Sequence, residues 1–256
     1  MKKLLFIGDV VGRSGCDFLV DRLGGIKRQH GIDITIVNGE NSAQGNGITK
    51  ASADMLVQAG ADIITTGNHA FRRREALGIF EEEHIVRPAN YPEGGCVGSG
   101  LRIIDMGSFR AAVINLMGTV YMDPLDNPFT KAEQLLEEID TPNIFVDFHA
   151  EATSEKKAMG HFLAGRVTGV FGTHTHVQTA DECILGGHTA YITDVGMVGP
   201  ELSCLGVDTD PTVDMFRFRM PVRFQEAEGP CFLCGTVVEF DEKKGKSHKI
   251  ERIIIR

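Results

Sequence analysis

Residues 167–178 read VTGVFGTHTHVQ, a short apolar run that ends in two histidines one residue apart. In an extended segment the side chains at i and i+2 point the same way, so His174 and His176 would present both imidazoles to one point. That is a metal-ligand spacing. Two solvated loop histidines would be spelled identically, and the choice turns on what the other apolar runs end in.

Working outward, those runs alternate with helical stretches. KLLFIG (3–8) leads to a helix ending near KRQHG, DITIVNG (33–39) precedes the helix TKASADMLVQAG, and ADIITTG (61–67) precedes RREALGIFEEE. After the Gly- and Pro-rich loop RPANYPEGGCVGSG come LRIIDMG and RAAVINL, which read as an antiparallel pair. The acidic loop MDPLDNP, the helix KAEQLLEEI, the strand NIFVDF and the helix SEKKAMGHFLAG return the chain to Val167. Strands alternating with helices predict an α/β fold. The last 70 or so residues read as more purely β, with a turn at Gly186 and Gly187. No repeat or linker divides the chain, so residues 1–256 are expected to form a single domain.

Composition narrows the function. A content of 42% hydrophobic and 24% charged residues suits a chain that buries a sizeable core. The start, MKKLLFIGDVVG, mimics a signal peptide, but its apolar run stops at Gly8 and Asp9, too short for an h-region. Other runs fall short of the roughly 20 apolar residues of a membrane span, so a cytoplasmic protein with no membrane partner is expected. A formal charge of −9 argues against strong binding of long nucleic acid, which needs clustered Lys and Arg. Cys231 and Cys234 form a lone C-x-x-C whose flanks read as strand, and a structural role is expected for both.

The polar residues now fall into place. Asp9 follows the first strand, Glu40 and Asn41 the second, Asn68 and His69 the third, His149 follows NIFVDF, and His174 and His176 follow VTGVFG. All lie at strand carboxyl ends, where ligands bind in α/β sheets. Asp and Asn are favoured in turns and as helix caps, so one such residue would mean little. Their recurrence at five strand ends is not explained by capping. Carboxylate, amide and imidazole groups without thiolate suit a pair of divalent Mn, Fe or Zn ions, with a carboxylate such as Glu40 bridging them and a shared hydroxide poised to attack phosphorus.

The blocks GDVVG, NGEN, GNH, DFHAEATSEK and GTHTHVQTAD resemble the calcineurin-like metallophosphoesterase superfamily. With RPANYPEG and AYITDVGMVGP they resemble its bacterial YmdB subfamily over nearly the whole chain. The resemblance implies a four-layer αββα sandwich, iron or manganese as metal, and phosphodiesterase activity on a small substrate such as a 2',3'-cyclic nucleotide. It also implies Asp9, Glu40, Asn41 and His176 around one metal, Glu40, Asn68, His149 and His174 around the other, and His69 as proton donor. Where the wider superfamily has D-x-H this chain has Asp9-Val10-Val11, where it has an Asp in the second block this chain has Glu40, and the acidic residue after G-N-H is Ala70. Asn41 is a candidate for the missing imidazole's place, and the group that orients His69 must come from elsewhere.

Other residues carry weaker expectations. His30, His84, His161, His188 and His248 read as surface or structural histidines. Arg87 is either a contact for substrate phosphate or an exposed loop arginine. Asp147 and Asp194 are candidates to hydrogen-bond ligand histidines. Three functions stand: a dinuclear phosphodiesterase opening 2',3'-cyclic nucleotides to 3'-nucleotides, a metallophosphatase or phosphodiesterase on other esters, and a regulatory nucleotide- or RNA-binding module with little turnover. A homo-oligomer is left open.

Overall fold

Alternation along the strands sorts the molecule into layers. In the computed structural model, which describes residues 1–92 and 94–256, β1 (Lys2–Ile7) sends Leu4 and Phe6 into one core cluster and Leu5 and Ile7 into another. Glu93, inside the RPANYPEG block, lies outside the described residues. The chain continues through β2 (Asp9–Val10), α1 (Gly12–His30), β3 (Ile34–Asn38), α2 (Lys50–Ala59), β4 (Ile63–Thr65), a 3-10 helix at Arg74–Glu81 and β5 (Ile85–Val86). Then follow β6 (Leu101–Asp105), β7 (Arg110–Met117), α3 (Pro128–Glu138), β8 (Ile144–His149), α4 (Thr153–Leu163) and β9 (Gly169–Thr173). The last part comprises β10 (Cys183–Leu185), β11 (Thr189–Ile192), β12 (Met197–Pro200), α5 (Thr209–Phe218), β13 (Cys231–Asp241) and β14 (Lys246–Ile255).

Two sheets result. The eight-stranded sheet runs β2-β12-β13-β1-β3-β4-β5, with β14 also beside β13, and the six-stranded sheet runs β10-β11-β9-β8-β7-β6. In the first, β1, β3, β4 and β5 are parallel; in the second, β7, β8, β9 and β11 are. The expected antiparallel pair is β6 with β7. Between the sheets Phe6 stacks on Phe171, ring centroids 4.5 Å apart, and Ile36, Ile63, Val113 and Phe145 join them. Outside the first sheet Leu19, Leu23 and Leu56 of α1 and α2 cover Leu5, Ile7 and Val37. Outside the second, Leu135 of α3 and Met159 and Leu163 of α4 cover Ile114, Val146 and Val170. Each such side chain, fully buried, contributes roughly 1.5–3 kcal/mol relative to exposure. Three cores between four layers make the αββα sandwich.

Three elements differ from expectation, the first being the helix expected at RREALGIFEEE, which is a 3-10 helix over Arg74–Glu81. α3 begins at Pro128, because the Asn127 side chain accepts the amides of Phe129 and Thr130 and proline is favoured at the first helical position. The final region, expected to be more purely β, contains α5, which starts on Asp208, Asp210 and Pro211 and ends at Arg219 in the left-handed region. Of its residues only Thr212 is buried. Among the described residues no helix is long and apolar enough to cross a membrane.

Candidate metal centre

Because the central strands of both sheets run the same way, their carboxyl ends open onto one edge. Asp9 sits there in β2, paired with Met197 of β12, and is fully buried. Glu40 and Asn41 leave β3, Asn68 and His69 occupy the turn after β4, His149 is the last residue of β8, and His174 and His176 follow β9. The structure thus brings all of the expected residues to one place. The extended geometry expected for His174 and His176 is wrong, however. Their φ angles are 102° and 64°, in the left-handed region that non-glycine residues rarely adopt. The strained turn is held from outside: Asp9 Oδ2 accepts the His174 amide at 3.1 Å, and Asp194 Oδ2 accepts the Thr175 amide at 3.0 Å. As a result the two imidazoles go to different partners.

Those partners form two groups that share Glu40. In one, His176 Nε2 lies 3.6 Å from Asp9 Oδ1 and 3.3 Å from Asn41 Nδ2, which donates to Glu40 Oε1 at 3.0 Å. In the other, His149 Nε2 lies 3.4 Å from Glu40 Oε1, 2.8 Å from Asn68 Oδ1 and 3.1 Å from His174 Nδ1. His69 Nδ1 contacts Glu40 Oε1 at 3.1 Å and Asn41 Oδ1 at 2.8 Å, so Glu40 and Asn41 orient the ring that Ala70 cannot. A Cβ on Gly67 would sit inside the His149 ring, so only glycine permits this approach.

The electrostatics follow from burial and contact. Burial alone would raise the Glu40 carboxyl, but the imidazoles of His149 and His69 hold it well below the usual carboxylate range. Burial likewise opposes charge on His149, yet Glu40 and Asp9 lift it to about 9. Asp9 is held down against its burial chiefly by His176. Burial and the neighbouring His149 lower His174. Buried carboxylates and imidazoles facing one another are what a divalent cation stabilises. Two observations fit such an ion: Asp9 Oδ1 is buried with no hydrogen-bond partner, and ligating atoms of Glu40, His149 and His174 lie within 4.8 Å of one another. Among the described residues this is the one such cluster of His, Cys or acidic groups, and Cys231 and Cys234 remain in β13, outside it.

Behind the site lies a support that the sequence showed only partly. The Thr173 hydroxyl donates to Asp147 Oδ1 at 2.7 Å and stands 2.9 Å from His149 Nδ1, so Asp147 reaches that histidine through one hydroxyl. This leaves Nε2 facing the site. Burial raises Asp147 to about 6. Asn38 Nδ2 donates to Asp147 Oδ2 at 3.0 Å, and Glu151 Oε2 lies 3.0 Å from His174 Nε2. Asp194 does not bond a histidine ring: it accepts the amides of Thr175 and Gly196 and the ammonium of Lys156, a buried lysine not anticipated. Arg87 donates to the carbonyls of Val97 at 3.2 Å and Pro88 at 2.8 Å, which ties down its own loop instead of facing the site. His30, His84, His161, His188 and His248 do not line the cavity described next.

In front of the site a 760 Å³ cavity is lined by Glu40, Asn41, His69, His174 and His176 on one side and by residues of the 203–224 segment on the other. Paired sheets with a polar cluster at their shared carboxyl edge are the layout of the calcineurin-like phosphoesterases. A solved calcineurin-like phosphoesterase from Bacillus subtilis shares the fold at a TM-score of 0.59 with 10% identity, covering 99% of this chain and 90% of that one. Sharing that fold, the chain belongs to the YmdB-like family, whose profile matches residues 5–253. It is 47% identical over 256 residues, 99% of this chain and 97% of the relative, to the 2',3'-cyclic-nucleotide 2'-phosphodiesterase of Bacillus subtilis. A crystal structure of a novel phosphatase from Mycoplasma pneumoniae aligns with a TM-score of 0.94 and 34% identity, covering 99% of this chain and 93% of that one. The family, the full-length relative and the cluster of Glu40, His149 and His174 make the chain a phosphodiesterase-type hydrolase with a candidate site for divalent metal.

Proposed function

We propose that this chain hydrolyses 2',3'-cyclic nucleotides by breaking the bond between phosphorus and O2', leaving the 3'-monophosphate. The substrate is inferred from the full-length relative of that name, and the reaction from the two groups that meet at Glu40. In this reading Asp9, Glu40, Asn41 and His176 hold one ion and Glu40, Asn68, His149 and His174 the other. When bound, a pair of divalent ions polarises phosphoryl oxygens and makes water acidic enough to supply a nucleophile at neutral pH. Carboxylate, amide and imidazole donors suit Mn, Fe or Zn, and the resemblance to the YmdB subfamily favours iron or manganese among them.

The chain's own groups do the rest. Glu40 is fixed by the Asn41 amide and by the His69 backbone N–H, which donates to Oε2 at 3.0 Å, so its carboxylate is pre-positioned to face both groups. Asn41 takes the place of the imidazole that Val11 cannot supply. His69 is the proton donor: with Nδ1 held by Glu40 and Asn41, its Nε2 is the nitrogen left for the leaving oxygen. As the new P–O bond forms and the P–O2' bond breaks, that proton goes to O2', which departs as a hydroxyl. The chain acts as one domain over residues 1–256, supported by the pairing of β13 with β1. Six free thiols support a reducing, cytoplasmic setting. A panel of 2',3'-cyclic, 3',5'-cyclic and linear phosphate esters, assayed on protein reconstituted with Mn or Fe, tests the reading. Preference for the 2',3'-cyclic esters is expected, and preference for linear monoesters would refute it.

A further inference from the structure

The cavity is larger and more apolar than a phosphodiester needs. Opposite the polar wall stand Leu205, Val207, Val213, Phe216 and Phe224, and among the described lining residues there is no lysine or arginine. Phe216 and Phe224 are 62% and 47% exposed, although large aromatics are ordinarily covered. They belong to an arm, residues 203–224, whose root is fixed while its apolar face is not. Glu226 accepts the backbone amides of Ser14 at 2.9 Å and Arg13 at 3.2 Å at the start of α1, and Val207 bridges to Glu226. At the inner end the Leu205 carbonyl lies 3.2 Å from His176 Nδ1, so the apolar wall is continuous with the polar site. α5 contributes one buried residue to the fold, and Val213, Met215 and Phe216 of this helix line the cavity.

We infer that this wall is a nucleobase subsite, with Phe216 and Phe224 as the aromatic faces on which the base of the substrate rests. The inference rests on the proposed reaction, which places a ribose phosphate at the polar wall. What remains of such a ligand is flat, aromatic and uncharged, and the volume falls in the range that holds a molecule of nucleotide size. The absence of lysine and arginine among the described lining residues disfavours a second phosphate beyond the polar wall, and so favours a mononucleotide over an oligonucleotide running along the arm. Asn46 also lines the cavity, and its amide offers a donor and an acceptor that the edge of a base could use. Stacking on an aromatic side chain tolerates any base, so Phe216 and Phe224 are expected to admit purines and pyrimidines alike.

The test separates the base from the reaction. Binding of 3'-AMP and of ribose 3-phosphate to metal-loaded wild type, Phe216→Ala and Phe224→Ala is measured by calorimetry, and turnover of 2',3'-cyclic AMP is compared with that of the base-free methyl riboside 2,3-cyclic phosphate. Wild type should prefer the base-bearing ligand by about 5- to 150-fold, and Phe216→Ala should remove most of that preference while leaving the base-free ligand unaffected. Equal affinity of wild type for both ligands, or a preference that survives in both variants, overturns the subsite. If light scattering shows that Phe216→Ala lowers the oligomeric mass while the preference persists, the face belongs to a second copy of the chain and the subsite is likewise overturned. If the base preference holds but neither cyclic ester is hydrolysed, the subsite stands and the reaction falls.

Discussion

Replacing Lys156 by methionine should destabilise this protein more than any surface substitution, although Lys156 touches no expected ligand. Its ammonium lies 2.6 Å from Asp194 Oδ2, with side-chain exposures of 2% and 1%. Asp194 in turn accepts the amides of Thr175 and Gly196, and Thr175 separates the two left-handed histidines. Lys156→Met keeps the stem's volume but leaves a carboxylate buried without its cation. Breaking a buried pair from one side costs about 3–5 kcal/mol, whereas removing both charges is often close to neutral. In a chain of this size roughly 2–4 °C of Tm is lost per kcal/mol, so a fall of about 6–20 °C follows. Denaturant unfolding of the metal-free protein would measure it, with Lys156→Met/Asp194→Asn completing the cycle. The double variant should recover at least half of the loss, since asparagine still offers an oxygen to the turn. A single variant within about 1 kcal/mol of wild type, or a double variant with strictly additive losses, would refute the reasoning.

The other predictions concern the metal centre. Glu40→Gln should weaken both metal sites together, whereas His176→Ala should mainly empty one; competition titrations giving equal, single-site losses for both would contradict a shared Glu40. Gly67→Ala forces a Cβ into the His149 ring, so it should lower occupancy of the His149 group by about 10-fold or more, as loss of ligand support does, and spare the Asp9 group. His69→Ala should keep its metals and lose about 10²–10⁴ in turnover of 2',3'-cyclic nucleotides, with much less effect on a nitrophenyl phosphodiester whose phenolate leaves without a proton. Equal losses on both substrates, or loss of metal, would remove His69 from the role of acid.

Where the sequence was legible, it was so because local rules act alone. Short apolar runs bounded by Gly or polar residues, such as KLLFIG and NIFVDF, predict strands, and in the structure their side chains divide between core clusters. Polar residues at strand ends predict the site's edge, because a parallel sheet aligns those ends whatever the intervening loops do. What was missed depends on distant partners. The turn at His174 and His176 is bent by bonds to Asp9 and Asp194, which no local spacing encodes. α5 escaped notice because its apolar residues do not pack on the core, so its pattern is not tied to a buried face. Lys156 falls on the same face of α4 as Met159, Gly160 and Leu163, and a charge on that stripe was the available signal for a buried pair. Asp194 is a candidate imidazole partner only by the general habit of metal sites, and in the structure it serves two backbone amides and the Lys156 ammonium.

The central claim, opening of a 2',3'-cyclic nucleotide at O2', is tested most directly by following metal-loaded protein with 2',3'-cyclic AMP by phosphorus NMR, in which the two monophosphate products resolve. Conversion to the 3'-monophosphate, abolished by chelation and by Glu40→Gln, is the predicted result. Accumulation of the 2'-monophosphate, or turnover that persists without metal, would contradict it.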